Sequence, residues 1–474
     1  MAETERNALP AAVRDGFALL TLLCTTSLMN GSVFPQFDAT FTFARDISVT
    51  FSAVALTLLG ILAYQRPAVL APRAFIGVAL GLLAGGGVLM VAGAWMANAP
   101  LLTAGASLAA AGRAGNTVLV GVALSRLPQQ LAVGTICVAF CIQTAVNPLS
   151  TWVAPEAGLA LFCLLPLITL WLAAPGGCDV LRQTAHPHQA TPSDLAVTRP
   201  MSFLAPASAL FVCLFLFQVA FGFALRFGEV EGVPRMSILS GLPVLVTTVY
   251  VLCSQRRFPA DLLSQLSALA VIAGFLFAAQ PSVVLPTGDV ALLNAGHELF
   301  QMTAQVALVA IASRNPFGAV TVVAWGNGAC ALGSLAGAAA GVIANRLAAS
   351  SPVLAIGIPA TLLLVFAAYI IIGLKRFSFA QVIDGVEPLE TAPEQATVAA
   401  PEDVLRVRCD ALATTYGLTP REAEVLAMLA RGRDRAYIEN ALVVSRNTVK
   451  AHVKHVYAKL GIHSHQQLLD LVEK

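Results

Sequence analysis

The sequence predicts an all-α protein: a polytopic membrane domain of twelve helices, arranged six and six, followed by a small C-terminal domain of four helices. Three observations carry this. The 474 residues are 57% hydrophobic and only 11% charged, where a soluble protein carries about 25% charged residues. The charge is unevenly divided: residues 1–376 hold 17 Lys+Arg and 13 Asp+Glu, whereas the much shorter 377–474 holds 11 and 13. Apolar runs of the length needed to cross a bilayer, about 20 residues each, recur only in the first part. This composition excludes soluble enzymes, disordered chains and disulfide-rich secreted domains.

Twelve such runs fall at about 16–35, 47–64, 74–97, 101–124, 131–153, 157–174, 202–225, 236–254, 262–280, 290–312, 319–343 and 353–374. The first is expected to be a retained span, since it is too long for the apolar region of a leader and lacks a small-residue cleavage site. The connections are short except for Pro175 to Met201, which separates the spans into two sets of six. Orientation follows from the Lys/Arg bias of the loops. With both termini inside, twelve basic residues (Arg6, Arg14, Arg66, Arg73, Arg126, Arg182, Arg199, Arg256, Arg257, Arg314, Lys375 and Arg376) face the cytoplasm, and four (Arg45, Arg226, Arg235 and Arg346) face outward. The expected location is the cytoplasmic (inner) membrane, multi-pass, with the tail in the cytoplasm.

The nine cysteines are scattered, with no CxxC pair, and most sit in apolar runs as small hydrophobes. His186 and His188 stand in the central loop without a third ligand. No cofactor or metal site is expected, and no nucleophile–base pair or phosphate loop suggests an enzyme. The ridges Gly77-Gly81-Gly85 and Gly333-Gly337-Gly341 have the small-xxx-small spacing that lets helices approach closely.

After the membrane domain (1–376), residues 377–401 read as an acidic tether. Asp384 to Pro401 carries four acids and no bases, and such a segment has a reach of order 25 Å root-mean-square. Residues 402–474 form the last domain, beginning with a short helix. Thr419-Pro420-Arg421-Glu422 is a capping box with proline at the first helical position. The helix it opens buries Val425, Leu426 and Leu429 and stops at Gly432. A second helix, about Arg435 to Ala441, follows Asp434. Ser445 caps a third, Arg446 to Leu460, closed by Gly461. Its apolar residues Val449, Val453, Val456 and Leu460 recur at helical spacing. Asn447, Thr448, Lys450, Ala451, Lys454 and His455 lie on the opposite face. Ser464 caps a last helix ending near Val472.

Leu418 to Glu422, Gly432, Ser445 to His452 (S-R-N-T-V-K-A-H) and Lys459-Leu460-Gly461 together resemble the LuxR-type helix-turn-helix over about 55 residues. The resemblance implies a domain whose third helix enters the major groove of double-stranded DNA, and which dimerises through its fourth helix on paired half-sites. It assigns base reading to Lys450, Ala451 and Lys454, and a phosphate contact to Thr448, with Ser445 and Asn447 beside them. The +3 balance of residues 418–474, nine Lys+Arg against six acids, agrees. Glu439, where the family has a small apolar residue, and His465, where it has arginine, depart from the pattern away from the reading face.

Charged residues within spans are costly and mark function by default. Three lie deep: Arg113 in the fourth span, and His297 and Glu298 in the tenth. The tenth span adds Asn294, Gln301 and Gln305, and at 100° per residue these five share a stripe about 100° wide. Asn116 and Thr117 are one helical turn from Arg113, and spans one and seven contribute Asn30 and Gln218. The stripe reads either as the lining of a ligand cavity, with Arg113 suggesting an anion, or as structural polar contacts, with Arg113 and Glu298 neutralising each other. The six-plus-six division resembles the major facilitator superfamily, which implies that spans one, four, seven and ten line a central cavity. The loop Gln65 to Arg73 departs from it, lacking the Gly and Asp of the transporters' basic signature. Together these features predict a one-component, membrane-embedded transcriptional regulator controlled by a small-molecule effector. The alternative is a small-molecule transporter with a regulatory DNA-binding tail.

Overall fold

The computed structural model describes residues 3–37, 43–185, 205–227, 238–254, 258–279, 288–314, 316–374, 377–384, 409, 412–413, 415–430, 446–462 and 467–468. They fall in two compact units, Met1–Leu389 and Glu390–Lys474.

In the first unit twelve helices follow the twelve apolar runs. We number them α1 (Asn7–Phe37), α2 (Ala44–Gln65), α3 (Pro72–Trp95), α4 (Ala99–Leu124), α5 (Gln129–Trp152) and α6 (Pro155–Ala185). The second set comprises α7 (Ala205–Arg226), α8 (Leu242–Ser254), α9 (Ala260–Ala278), α10 (Gly288–Arg314), α11 (Pro316–Ser350) and α12 (Pro352–Ala368), the last continued by a π-helical turn, Tyr369–Gly373. Ten of the described helices are long and apolar enough to cross a membrane. The two exceptions have different causes: α8 is described over only 13 residues after a 3-10 turn, and α10 is long but carries the polar stripe. Helix α6 runs on to Ala185, so the first eleven residues of the expected central loop are helical.

Helices α1–α6 pack among themselves, as do α7–α12, and the two sets meet where α2 lies along α11 and α5 along α8 and α10. One apolar core runs through both sets. Outward residues stay apolar, as a lipid solvent requires, and Trp95 and Trp152 stand exposed at the ends of α3 and α5. Close approach depends on glycine between α11 and α7: a Cβ at Gly333 or Gly337 would collide with the backbone carbonyls of Phe215 and Val219. The other predicted ridge is different. Gly77, Gly81 and Gly85 have nothing within 4 Å of an added Cβ, so they face outward. The face of α3 that touches α4 is instead Gly86, Met90 and Gly93, against Leu102, Gly105 and Ala109.

A short helix, α13 (Phe379–Asp384), packs on α9 and α10 within this unit. It lies inside the segment expected to be tether, and the compact membrane unit extends past residue 376 to Leu389.

The second unit has its own core. Helices α14 (Pro420–Ala430) and α15 (Arg446–Leu460) pack together through Val425, Leu426, Leu429, Val449, Val453, Val456 and Leu460, all buried with Cys409, Ile462 and Leu468. The end of α15 is a left-handed cap. Gly461 has φ 65°, and Ile462 N–H donates back to the Tyr457 carbonyl at 3.1 Å. The predicted second helix, Ser445, Glu439, His465, His186 and His188 lie outside the described residues.

Candidate functional site

Two sites stand out, one in each unit. In the second, the capping box forms as read. The Glu422 N–H donates to Thr419 Oγ1 at 3.3 Å, and the Thr419 N–H donates to Glu422 Oε2 at 2.8 Å. The carboxylate does more than cap. Lys459 Nζ, at the end of α15, donates to the same Oε2 at 2.6 Å and to the Gly417 carbonyl at 3.0 Å, and His455 Nδ1 stands 3.7 Å from Oε1. Glu422 is only 5% exposed. The Lys459 ammonium first, then the Thr419 N–H, hold its pKa down to about 2. One side chain thus fixes the start of α14 to the end of α15. The capping motif was legible in the sequence; the tie to Lys459 was not, because no spacing rule links residues 37 positions apart.

Opposite the shared core, one face of α15 is exposed. Lys450, Ala451, Lys454 and His455 are exposed, while Val449, Val453 and Val456 are buried beneath them. Asn447 and Thr448 belong to the first turn of the same helix. Two ammonium groups on an exposed helical face, one turn apart, can donate to guanine O6/N7 or to phosphate.

In the membrane unit the polar residues converge on two adjoining chambers of about 290 and 190 Å³. Asn294, His297, Glu298 and Gln301 line the larger, with Asn30 and Gln218 from α1 and α7. Arg113 and Gln305 line the smaller, and Thr117, Gln301 and Asn327 border both. Gln218 Nε2 donates to Gln301 Oε1 at 2.6 Å, and His297 stacks on Phe221 at 3.8 Å between centroids.

Arg113 and Glu298 form no ion pair. The Arg113 guanidinium instead lies 4.6 Å over the Phe162 ring, with Nη2 3.8 Å from Met29 Sδ and Nη1 buried without a hydrogen-bond partner among the described residues. The reading of the two charges as a mutual structural tie is thereby set aside. Asn116 also departs from the cavity reading. It is fully buried against α6, its amide donating to the Pro166 carbonyl at 2.7 Å, and it lines neither chamber. Sequence reasoning missed Asp46 and Asn327, which do line the larger chamber. Asp46 makes a 2.6 Å ion pair across the two sets of helices with the 3%-exposed Arg226. Asn327 is an isolated polar residue in its run, and Asp46 falls beside Arg45 just before the second run begins, so neither shows the stripe that marked α10.

The family model for bacterial regulatory proteins, luxR family, matches residues 417–472. The HTH-type transcriptional regulator Rv0890c of Mycobacterium tuberculosis is 45% identical over 53 residues, which is 11% of this chain and 6% of that protein. The uncharacterized response regulatory protein YgeK of Escherichia coli is 34% identical over 71 residues, 14% of this chain and 48% of YgeK. The chain thus spans about 6% of the length of the first curated relatives it matches. Among solved structures, a bacterial homologue of the iron transporter ferroportin superposes with a TM-score of 0.53, 12% identity, 77% of this chain and 99% of that one. The major facilitator superfamily proton:xylose symporter XylE gives 0.52, 12%, 77% and 96%. The chain therefore joins a luxR-family helix-turn-helix domain to a multi-pass membrane domain of the major facilitator fold.

Proposed function

We propose that this protein is a membrane-embedded transcriptional regulator in which a small molecule held in the membrane domain controls DNA binding by the tail. The observation that carries the reading is the covalent union of the luxR-family domain, with Lys450 and Lys454 exposed on its third helix, and a polytopic domain with a polar interior cavity. Lys450, Ala451 and Lys454 read bases; Ser445, Asn447 and Thr448, at the start of that helix, position the backbone. The domain binds as a dimer on paired half-sites, and both termini face the cytoplasm from the inner membrane.

The effector is a small anion. An unpaired guanidinium in a membrane interior is expensive, and Arg113 has no carboxylate partner among the described residues. An anionic group bound at Nη1 supplies that partner, with Gln301 and Gln305 as neighbouring donors. The effector shifts the regulator only by its differential affinity for two states. A response coefficient of about 5–150-fold is within reach of ordinary coupling. Chromosomal occupancy of the tagged full-length protein, beside Lys450→Ala, tests the regulator reading.

The second reading, a transporter with a regulatory tail, draws on the cavity and on the fold of the solved neighbours. Uptake into vesicles by the tail-deleted protein, with no discrete sites on DNA for the intact one, would select it.

A further inference from the structure

The chain leaves α12 and passes through Phe377 and Ser378 into α13. Six residues cannot sustain a helix in water, because nucleation costs more than so few hydrogen bonds return. What surrounds α13 therefore decides whether it exists. Its N-terminal turn is capped by a carboxylate from another helix. Asp261, in the first turn of α9, accepts from the Ser378 hydroxyl at 2.7 Å and from the Ala380 N–H at 3.2 Å. Its last carbonyls accept from Arg314 at the end of α10, at 2.6 Å for Val382 and 2.7 Å for Ile383. A cation there satisfies the carbonyls that a helix end leaves unpaired. Underneath, Phe379 and Ile383 are buried, with Phe379 edge-on to Phe300 at 5.8 Å.

One contact comes from the other set of helices. Gln129, the first residue of α5, donates to the Ile383 carbonyl at 3.3 Å. So α13 lies across the seam, tied to α5 on one side and to α9 and α10 on the other. Beneath it that seam is shut: Ala132, Val133 and Ile136 of α5 face Val306, Val309 and Ala310 of α10 around a residual gap of about 10 Å³. The larger polar chamber sits toward the opposite ends of these helices, where Gln143 and Asn147 of α5 and Asn294, in the second turn of α10, line it.

We propose that α13 is the element that transmits the state of the membrane domain to the tail: a strap that stays docked while α5 and α10 are together and detaches when they part. Detachment converts residues 377–384 from docked helix to chain, which lengthens the tether by up to about 27 Å at full extension. The membrane domain thereby sets how far the helix-turn-helix domains can search and whether two can meet on paired half-sites. This output rests on the regulator reading above; the docking geometry does not.

Two readouts on the full-length protein test it. In nanodiscs, amide hydrogen exchange over 377–384 reports docking, and the amides of Val118 to Leu124 report that α4 remains intact. In cells, chromosomal occupancy reports output. Gln129→Ala with Arg314→Gln should abolish protection at 377–384, leave α4 protected and change occupancy by about fivefold or more, the lower end of ordinary coupling. Gln129→Ala alone, the milder change, should move both readouts in the same sense. Unprotected 377–384 amides in the parent protein, or lost protection with unchanged occupancy, would overturn the strap. Discrete sites that vanish with Lys450→Ala but ignore strap release overturn the strap and spare the regulator. No discrete sites in the parent protein overturn both.

Discussion

At the scale of single residues, one charge in each unit carries a sharp expectation. Arg113 is held by a ring face and a thioether, and one of its nitrogens has no acceptor among the described residues. Arg113→Ala should abolish the response to the effector while leaving DNA occupancy intact, because the substitution lies in the membrane unit and removes no contact of α14 or α15. Occupancy measured with and without the inducing condition checks this, and a normal response in the variant would refute the cavity assignment. Glu422 makes the opposite kind of contact, saturated rather than open. Its pKa in the fold, about 2, lies below its ordinary 4.5. Its stabilisation is therefore complete above about pH 4.5 and is lost as pH falls toward 2. Glu422→Gln keeps the capping box but loses the ion pair to Lys459. Acid unfolding of the 390–474 unit should accordingly become flatter over that window, and an unchanged profile would show that the tie is not what the acid breaks. Thr419→Ala removes a cap and should cost about 0.5–2 kcal/mol by denaturant unfolding.

At the scale of elements, the legible parts were those whose signal is local and repeated. Spans announced themselves by length and apolarity, and α15 by its apolar period, its cap and Gly461. The parts that were not legible depend on a partner. Asn116 shares a helical turn with Arg113, yet a helical wheel shows only which residues share a face, not which neighbour covers it; α6 covers Asn116. The ridge at Gly77 has the same spacing as that at Gly337, but only the second meets a helix. Helix α13 is too short for any period, and its existence is set by Asp261, Arg314 and Gln129 from three distant helices. The contrast between the ridges can be tested. Gly337→Val must push apart the backbones of α7 and α11, and overpacking of this kind costs about 1–3 kcal/mol or more. Gly81→Val points to open space and should leave the thermal stability of the detergent-solubilised protein within error of the parent.

At the scale of the whole molecule, a polar cavity in a domain of the major facilitator fold and a luxR-family tail occupy one chain, and a short helix that follows α12 in the sequence touches both sets of membrane helices. On the strap proposal, a ligand that stabilises one arrangement of the two sets needs no separate messenger, since the segment docked at their seam also leads on to the tail. Binding should carry the salt dependence of phosphate contacts, while Lys450→Ala loses sequence preference and keeps weak, salt-sensitive association. The central claim is that the membrane-embedded chain itself occupies specific DNA. Genome-wide occupancy of the tagged full-length protein, compared with Lys450→Ala at equal membrane abundance, tests it most directly. The account predicts a few discrete sites that disappear in the variant. No discrete sites in the parent across growth conditions, or sites that persist unchanged in Lys450→Ala, would contradict it.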